Sequence, residues 1–233
     1  MSGTEAEVKH LLHLNEMGWL PLNALEGLFE LDADELERRA KELFSLANAL
    51  GIPSVIVVPG VKTTKDVSLK AAKTSLSWLK SLAEDFGVDV VYEYIGFNTH
   101  YLSDFNKAIQ LCQAADCKLV LDTFHLAISE TPLPLIEALP ADFIALVHLS
   151  DALVLESDPS QASDEDRVLP GEGHLPLKSI LRAIKSTEYN GPVSIEVFHP
   201  KYTTRKLRDV VEEAYWRAKS TLQGSGWYEG GCS

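Results

Sequence analysis

The chain has 233 residues, 45% of them hydrophobic, and a formal net charge of −13. That is enough apolar material for one full core, while the excess of 34 Asp and Glu over 21 Lys and Arg excludes a nucleic-acid surface, which needs clustered cations. No apolar run approaches the roughly 20 residues of a membrane span, the opening MSGTEAEVKH lacks the order of a secretion signal, and Cys112, Cys117 and Cys232 make no zinc spacing. A cytoplasmic chain with inert thiols and no membrane partner is therefore expected.

In chain order, Glu5 to Met17 carries Val8, Leu11, Leu12 and Leu14 and predicts an amphipathic helix. Trp19 to Leu28 predicts a strand, weakened at its start by Pro21. Leu31 to Leu50 predicts a helix, with Asp32 as N-cap, Glu35 three residues on and Gly51 just past the end. SVIVV, Ser54 to Val58, reads as a buried strand, and Thr63 or Thr64 opens a long helix ending near Phe86–Gly87. DVVYEYI is a strand, Ser103 or Asp104 caps a helix reaching Ala115, and KLVLD is a strand. Pro132 to Leu139 predicts a short helix and FIALVHL a strand. Ser157 to Asp166 is too acidic and Ser-rich for a core and predicts a loop at a strand end, a usual place for an active-site lid. Leu175 to Thr187 predicts a helix, PVSIEVF a strand, and Thr203 to Leu222 a last helix before a loose tail from Gly224 to Ser233.

Six strand–helix units in alternation imply an α/β domain with a parallel sheet and helical crossovers. No G-x-G-x-x-G follows a strand, so an open dinucleotide-binding sheet lacks its fingerprint. Polar residues at the ends of several strands favour a (β/α)8 TIM barrel, whose site gathers at the C-terminal face. A full barrel needs eight strands, and only about 18 residues precede the first strand found. The expectation is one domain over residues 1–233: a barrel with about six βα units, lacking its first two. Its two open edges would invite a homodimer or aggregation.

Four apolar runs close on one polar residue each: VVYEYIG on Glu93, LVLDTFH on Asp122, LVHLSD on His148 and VSIEVF on Glu196. An apolar run of that length reads as a strand buried on both faces, and a charge at its end needs a partner, a metal or a substrate. Any one acid serves equally well as a strand-end cap or an ion-pair partner. Together, three carboxylates and an imidazole from four strands suit one divalent ion, with Mn²⁺, Mg²⁺ or Co²⁺ favoured over Zn²⁺. His125, three residues after Asp122, is placed to meet a substrate, and Asp151, three after His148, to orient that imidazole. Arg167, in the run Asp166-Arg167-Val-Leu-Pro-Gly-Glu-Gly173, offers a planar fork for an oxyanion or a hydroxyl pair. Gly171 and Gly173 would permit close backbone approach.

The strings LDTFH, VHLSD, DRVLPGEGHLPL and SIEVFHPKY together resemble the xylose-isomerase-like TIM-barrel family of sugar isomerases and epimerases, most nearly its keto-inositol (inosose) isomerase branch. The resemblance runs from about LNALEGLF to the last helix. It implies a divalent metal on Glu93, Asp122, His148 and Glu196, Glu93 and Glu196 as the acid/base pair, and substrate contacts from His125 and Arg167. The implied reaction is isomerisation or epimerisation of a sugar or polyol-ketone by proton transfer through a metal-stabilised enediolate. A metal-dependent lyase like the 3-dehydroshikimate dehydratases, or a non-catalytic truncated barrel, are the competing expectations.

Overall fold

The computed structural model describes residues 20–63, 66–153 and 162–227. The predicted Glu5–Met17 helix lies outside them. The chain forms two compact units, one running to Tyr94 and including Thr99–Val120, the other holding Ile95–Asn98 and Leu121 onward.

The first unit alternates β1 (Leu22–Leu25), α1 (Ala33–Leu50), β2 (Ser54–Val57), α2 (Leu69–Glu84), β3 (Asp89–Glu93), α3 (Phe105–Ala115) and β4 (Lys118–Asp122), whose last two residues belong to the second unit. β1 to β4 pair in sequence order, all parallel; Val55 lies opposite Val90, and Tyr92 opposite Leu119. Parallel strands need crossovers, and the helices supply them with one apolar face each. On α1 that face is Leu36, Ala40, Phe44, Ala47 and Leu50; on α2 it is Ala72, Leu76, Leu79 and Ala83. Leu76 is fully buried, and truncating such a leucine to alanine costs roughly 2–5 kcal/mol.

The boundaries follow the caps. Asp32 accepts from Glu35 N–H at 2.9 Å, and Gly51 closes α1 in the left-handed region at φ 76°. Glu35 turns outward to Arg38 and Arg39. The long helix predicted from Thr63 or Thr64 instead starts at Leu69, because Ser68 is its N-cap, accepting from Ala71 N–H at 3.2 Å. Asp104, one of the two expected caps, takes Lys107 N–H. The first predicted strand shrinks to four residues. Cys112 and Cys117 are buried free thiols; burial first, and then contact with Cys117, pushes the Cys112 thiol up, so Cys112 is not poised to react.

The second unit contains β5 (Ile144–Leu149) and β8 (Val193–Ile195), paired parallel with Val147 opposite Val193, His148 opposite Ser194, and Leu149 opposite Ile195. Helices α4 (Thr123–Ile128), α5 (Leu133–Glu137), α6 (Leu177–Ser186) and α7 (Leu207–Gly224) accompany them. Two features were not anticipated. A short helix, α4, begins directly after β4, and an antiparallel ribbon pairs β6 (Asp151–Ala152) with β7 (Arg167–Val168). The predicted loop Ser157–Asp166 ends in a 3₁₀ turn, Asp164–Asp166; its residues 157–161 lie outside the described set. Beyond α7, Trp227 is buried and donates its N–H to Leu222, while residues 228–233 are outside the described set. Six strands, β1 to β5 and β8, thus carry the parallel alternation among the described residues, the number predicted. No helix among those residues is long and apolar enough to cross a membrane.

Candidate active site

Asp122 has two jobs because it ends one element and starts another. Leu119, Val120 and Leu121 ahead of it are fully buried, and so is Asp122. As N-cap of α4, its Oδ1 accepts from the backbone N–H groups of Phe124 at 2.7 Å and His125 at 3.3 Å, satisfying two orphan donors of the helix. Oδ2 is left for the site and accepts from Arg167 Nη1 at 2.5 Å. Burial raises this carboxyl group's pKa, but the Arg167 charge, foremost among its neighbours, outweighs it and holds the group at about 2.

His148 and Glu196 come from β5 and from the residue just after β8. His148 is in register with Ser194, and Glu196, two residues beyond Ser194, returns to the same face. The Glu196 backbone N–H continues the ladder to Leu149 C=O at 3.2 Å. His148 Nδ1 therefore reaches Glu196 Oε2 at 3.3 Å and Asp122 Oδ2 at 3.9 Å. Asp122, His148 and Glu196 each offer one ligand atom within 4.8 Å of the others. Two carboxylates and an imidazole so gathered are a donor set that fits a hard divalent ion.

Arg167 sits on β7 and is 2% exposed. Its Nε donates to Asp164 at 2.9 Å, Nη1 to Asp122, and Nη2 to His125 Nε2 at 3.0 Å; Glu196 Oε2 stands 3.7 Å from Nη1. The Phe124 ring lies 4.4 Å from the guanidinium carbon and the Phe198 ring 5.7 Å, in the range of cation–π attraction. Burial opposes the arginine's charge, yet Asp122 first, then Asp164 and Glu196, hold it protonated well above its ordinary pKa. A guanidinium has no acceptor, so His125 Nε2 must accept, and the neutral ring carries its proton on Nδ1. Thr123 anchors the start of α4 by exchanging hydrogen bonds with Ser150, Oγ1 to C=O at 2.8 Å and N–H to Oγ1 at 3.0 Å.

Asp151 lies one residue past this core. Its carboxylate accepts from three backbone N–H groups, those of Ala152 and Leu175 at 2.9 Å and Gly171 at 3.1 Å. It thus faces the backbone of the Gly171–Leu175 loop rather than an imidazole. Gly171 takes φ 81° there, and a Cβ on Gly173 would collide with the Ala152 backbone and the Asp151 carboxylate, so only glycine fits that close approach.

Of the residues singled out from the sequence, the second unit brings together Asp122, His125, His148, Arg167 and Glu196, with Asp151 pinning the neighbouring loop. Glu93 ends β3 in the first unit, 4% exposed and in register with Val120, two residues before Asp122 on β4. Sequence reading missed Asp164, Phe124 and Phe198 around Arg167. The i,i+3 spacing of Asp164 and Arg167 was the one local signal among these.

Comparison with known proteins identifies the family and the fold. The family model described as xylose isomerase-like TIM barrel matches residues 3–219. The inosose isomerase of Halalkalibacterium halodurans is 31% identical over 218 residues, covering 89% of this chain and 76% of that one. A 3-dehydroshikimate dehydratase of Pseudomonas putida is 27% identical over 73% of this chain and 27% of its own. Among solved structures, the IolI protein with a binding zinc atom superposes with a TM-score of 0.84 at 26% identity, covering 97% of this chain and 83% of that one. The fold is therefore of the barrel type expected, and this chain belongs to the xylose isomerase-like TIM barrel family.

Proposed function

We propose that the chain is a divalent-metal-dependent isomerase or epimerase of a sugar or keto-inositol, acting in cytoplasmic carbohydrate or inositol metabolism. Glu93, Asp122, His148 and Glu196 are the proposed metal ligands. The observation that carries the reading is the convergence of Asp122, His148 and Glu196 from separate strand ends onto one buried point, beside an arginine–histidine pair. The inosose isomerase relative supports the substrate class. The oxygen-rich donor set favours Mn²⁺, Mg²⁺ or Co²⁺, although the IolI structure holds zinc.

A divalent ion held there supplies Lewis-acid polarisation of a carbonyl. The chain's own groups do the rest. Glu196, with its side chain 15% exposed, is the partly open carboxylate and takes the proton alpha to the carbonyl. Glu93 is the second member of the acid/base pair and returns a proton to the neighbouring carbon. His125 presents Nδ1–H as a donor to a substrate oxygen. Arg167, buried to the same degree as His125, is the second proposed substrate contact, and it also fixes the His125 ring and the free oxygen of Asp122. Asp151 holds the loop that closes behind it.

The test is metal analysis of the purified chain, followed by incubation with 2-keto-myo-inositol in D₂O under proton NMR. Isomer formation with deuterium at the alpha carbon is the expected result. A folded protein that exchanges no substrate proton with Mn²⁺, Mg²⁺, Co²⁺ or Zn²⁺ would sink the reading. The dehydratase relative makes one alternative concrete: 3-dehydroshikimate would lose water, and ultraviolet absorbance of an aromatic product would appear.

A further inference from the structure

Two runs, PGEG after Arg167 and HPKY after Glu196, contribute side chains that the site does not use directly. Glu172 Oε2 accepts from Tyr202 OH at 2.5 Å and Lys201 Nζ at 2.9 Å, and Arg217 Nη2 stands 3.2 Å from its Oε1. The Tyr202 hydroxyl in turn accepts the Leu169 backbone N–H at 2.7 Å. It thus donates once and accepts once, joining a backbone amide two residues past Arg167 to a carboxylate three residues further on. A second link lies beside it: His199 N–H donates to Arg167 C=O at 3.2 Å. His199 also caps the 3₁₀ turn Pro200–Tyr202, its Nδ1 accepting from Lys201 N–H. The segment that carries Glu196 is therefore tied to the segment that carries Arg167 at two points, and the Glu172 cluster locks the outer one.

We propose that Tyr202, anchored by Glu172, is a positioning residue that sets the distance between Arg167 and Glu196 by clasping the two segments through Leu169 N–H. The inference rests on the roles given above to Arg167 and Glu196. Phenylalanine at 202 keeps the ring's bulk and removes both hydrogen bonds. It leaves the Leu169 amide without its acceptor and Glu172 without its shortest donor. The clasp then relies on His199 alone, and Arg167 shifts relative to Glu196.

Two readouts test this on the full chain, comparing wild type with Tyr202→Phe. Amide hydrogen exchange at Leu169 and His199 should accelerate by ~10-fold or more, while Val147, Leu149 and Ile195 in the β5–β8 ladder exchange as before. Turnover of 2-keto-myo-inositol should fall ~10-fold or more in the wild-type background, but by less than about 3-fold in an Arg167→Lys background, because coupled residues are not additive. Unchanged exchange at His199 overturns the clasp. An equal turnover loss in both backgrounds shows that Tyr202 does not act through Arg167 and overturns the proposal. If wild type does not turn over this substrate, the functional reading fails and the exchange result alone decides the clasp. Should Tyr202→Phe fail to fold, Glu172→Ala, which removes the carboxylate that holds the Tyr202 hydroxyl against Leu169 N–H and so loosens that bond, should accelerate the same two amides, and no acceleration there counts against it.

Discussion

Arg167 Nη1 donates to Asp122 Oδ2 across 2.5 Å, and neither side chain is more than 2% exposed. A buried pair of this kind is expensive to assemble and more expensive to break, since removing one member strands the other's charge. Arg167→Met should therefore destabilise the metal-free protein by roughly 3–5 kcal/mol, measured by urea unfolding in EDTA. Arg167→Lys keeps the charge and loses the fork that reaches Asp122, Asp164 and His125 together. It should weaken substrate binding and leave metal content intact. Wild-type KM and kcat in the lysine variant would show that Arg167 is structural only.

The same pair sets an acid limit. The Asp122 carboxyl is held at about 2 in the folded chain, below the ordinary value near 4. A depressed folded pKa contributes stability that is fully present above the unfolded value and lost as pH falls through the folded one. The Asp122 contribution should thus persist at neutral pH and fade between about pH 4 and pH 2. Arg167→Met removes the main attraction and leaves burial to raise the carboxyl group's pKa, so the loss of stability between about pH 4 and pH 2 should be smaller in the variant than in wild type. Equal losses for the two over that range, measured by urea unfolding without metal, would contradict this.

His148→Ala removes the imidazole that stands between Glu196 and Asp122. Metal content should fall by about an order of magnitude or more, as the ligand role proposed for His148 requires. Glu196→Gln separates binding from chemistry: the amide oxygen would still be able to hold the proposed ion, but the amide exchanges no proton. Turnover should drop ~10²–10⁴-fold with a smaller change in substrate affinity. Deuterium uptake into substrate at the wild-type rate would exclude Glu196 as the proton carrier.

How much of this was legible follows from where each signal lies along the chain. Asp122, His148 and Glu196 stand out because a charge ending a Val/Leu/Ile run has few explanations, and all three converge. The limits of α1 were legible because Asp32 and Gly51 sit at its two ends. The start of α2 was not, since Thr63, Thr64 and Ser68 are all competent caps. Ser68 wins, and Thr63 lies beside the Tyr101 hydroxyl instead. α4 was missed because Asp122 was read as a strand end, although Asp followed by TFHLAI is also an N-cap before a helix. The Glu172–Tyr202 contact spans 30 residues and the Arg167–Asp122 contact 45. No local pattern encodes such pairings; they arise only once the strands are placed.

Asp151 distinguishes the sequence expectation from the geometry most directly. Three residues after His148, it was expected to orient that imidazole, a role whose loss typically costs 10–100-fold in metal affinity. The structure gives it three backbone donors instead, from Ala152, Gly171 and Leu175. Asp151→Asn replaces one acceptor oxygen with an NH₂ group. Whichever way the amide turns, at least one backbone N–H then faces a donor, and leaving a buried donor unsatisfied costs about 1–3 kcal/mol. The loop from Gly171 to Leu175 should loosen, and with it the segment following Arg167. The variant should therefore lose stability and turnover while its metal affinity stays within about 3-fold of wild type, since the His148 imidazole keeps its own partners. Thermal unfolding and a metal titration on the same sample decide it. A fall in metal affinity of ~10-fold or more at unchanged melting temperature would return Asp151 to the imidazole.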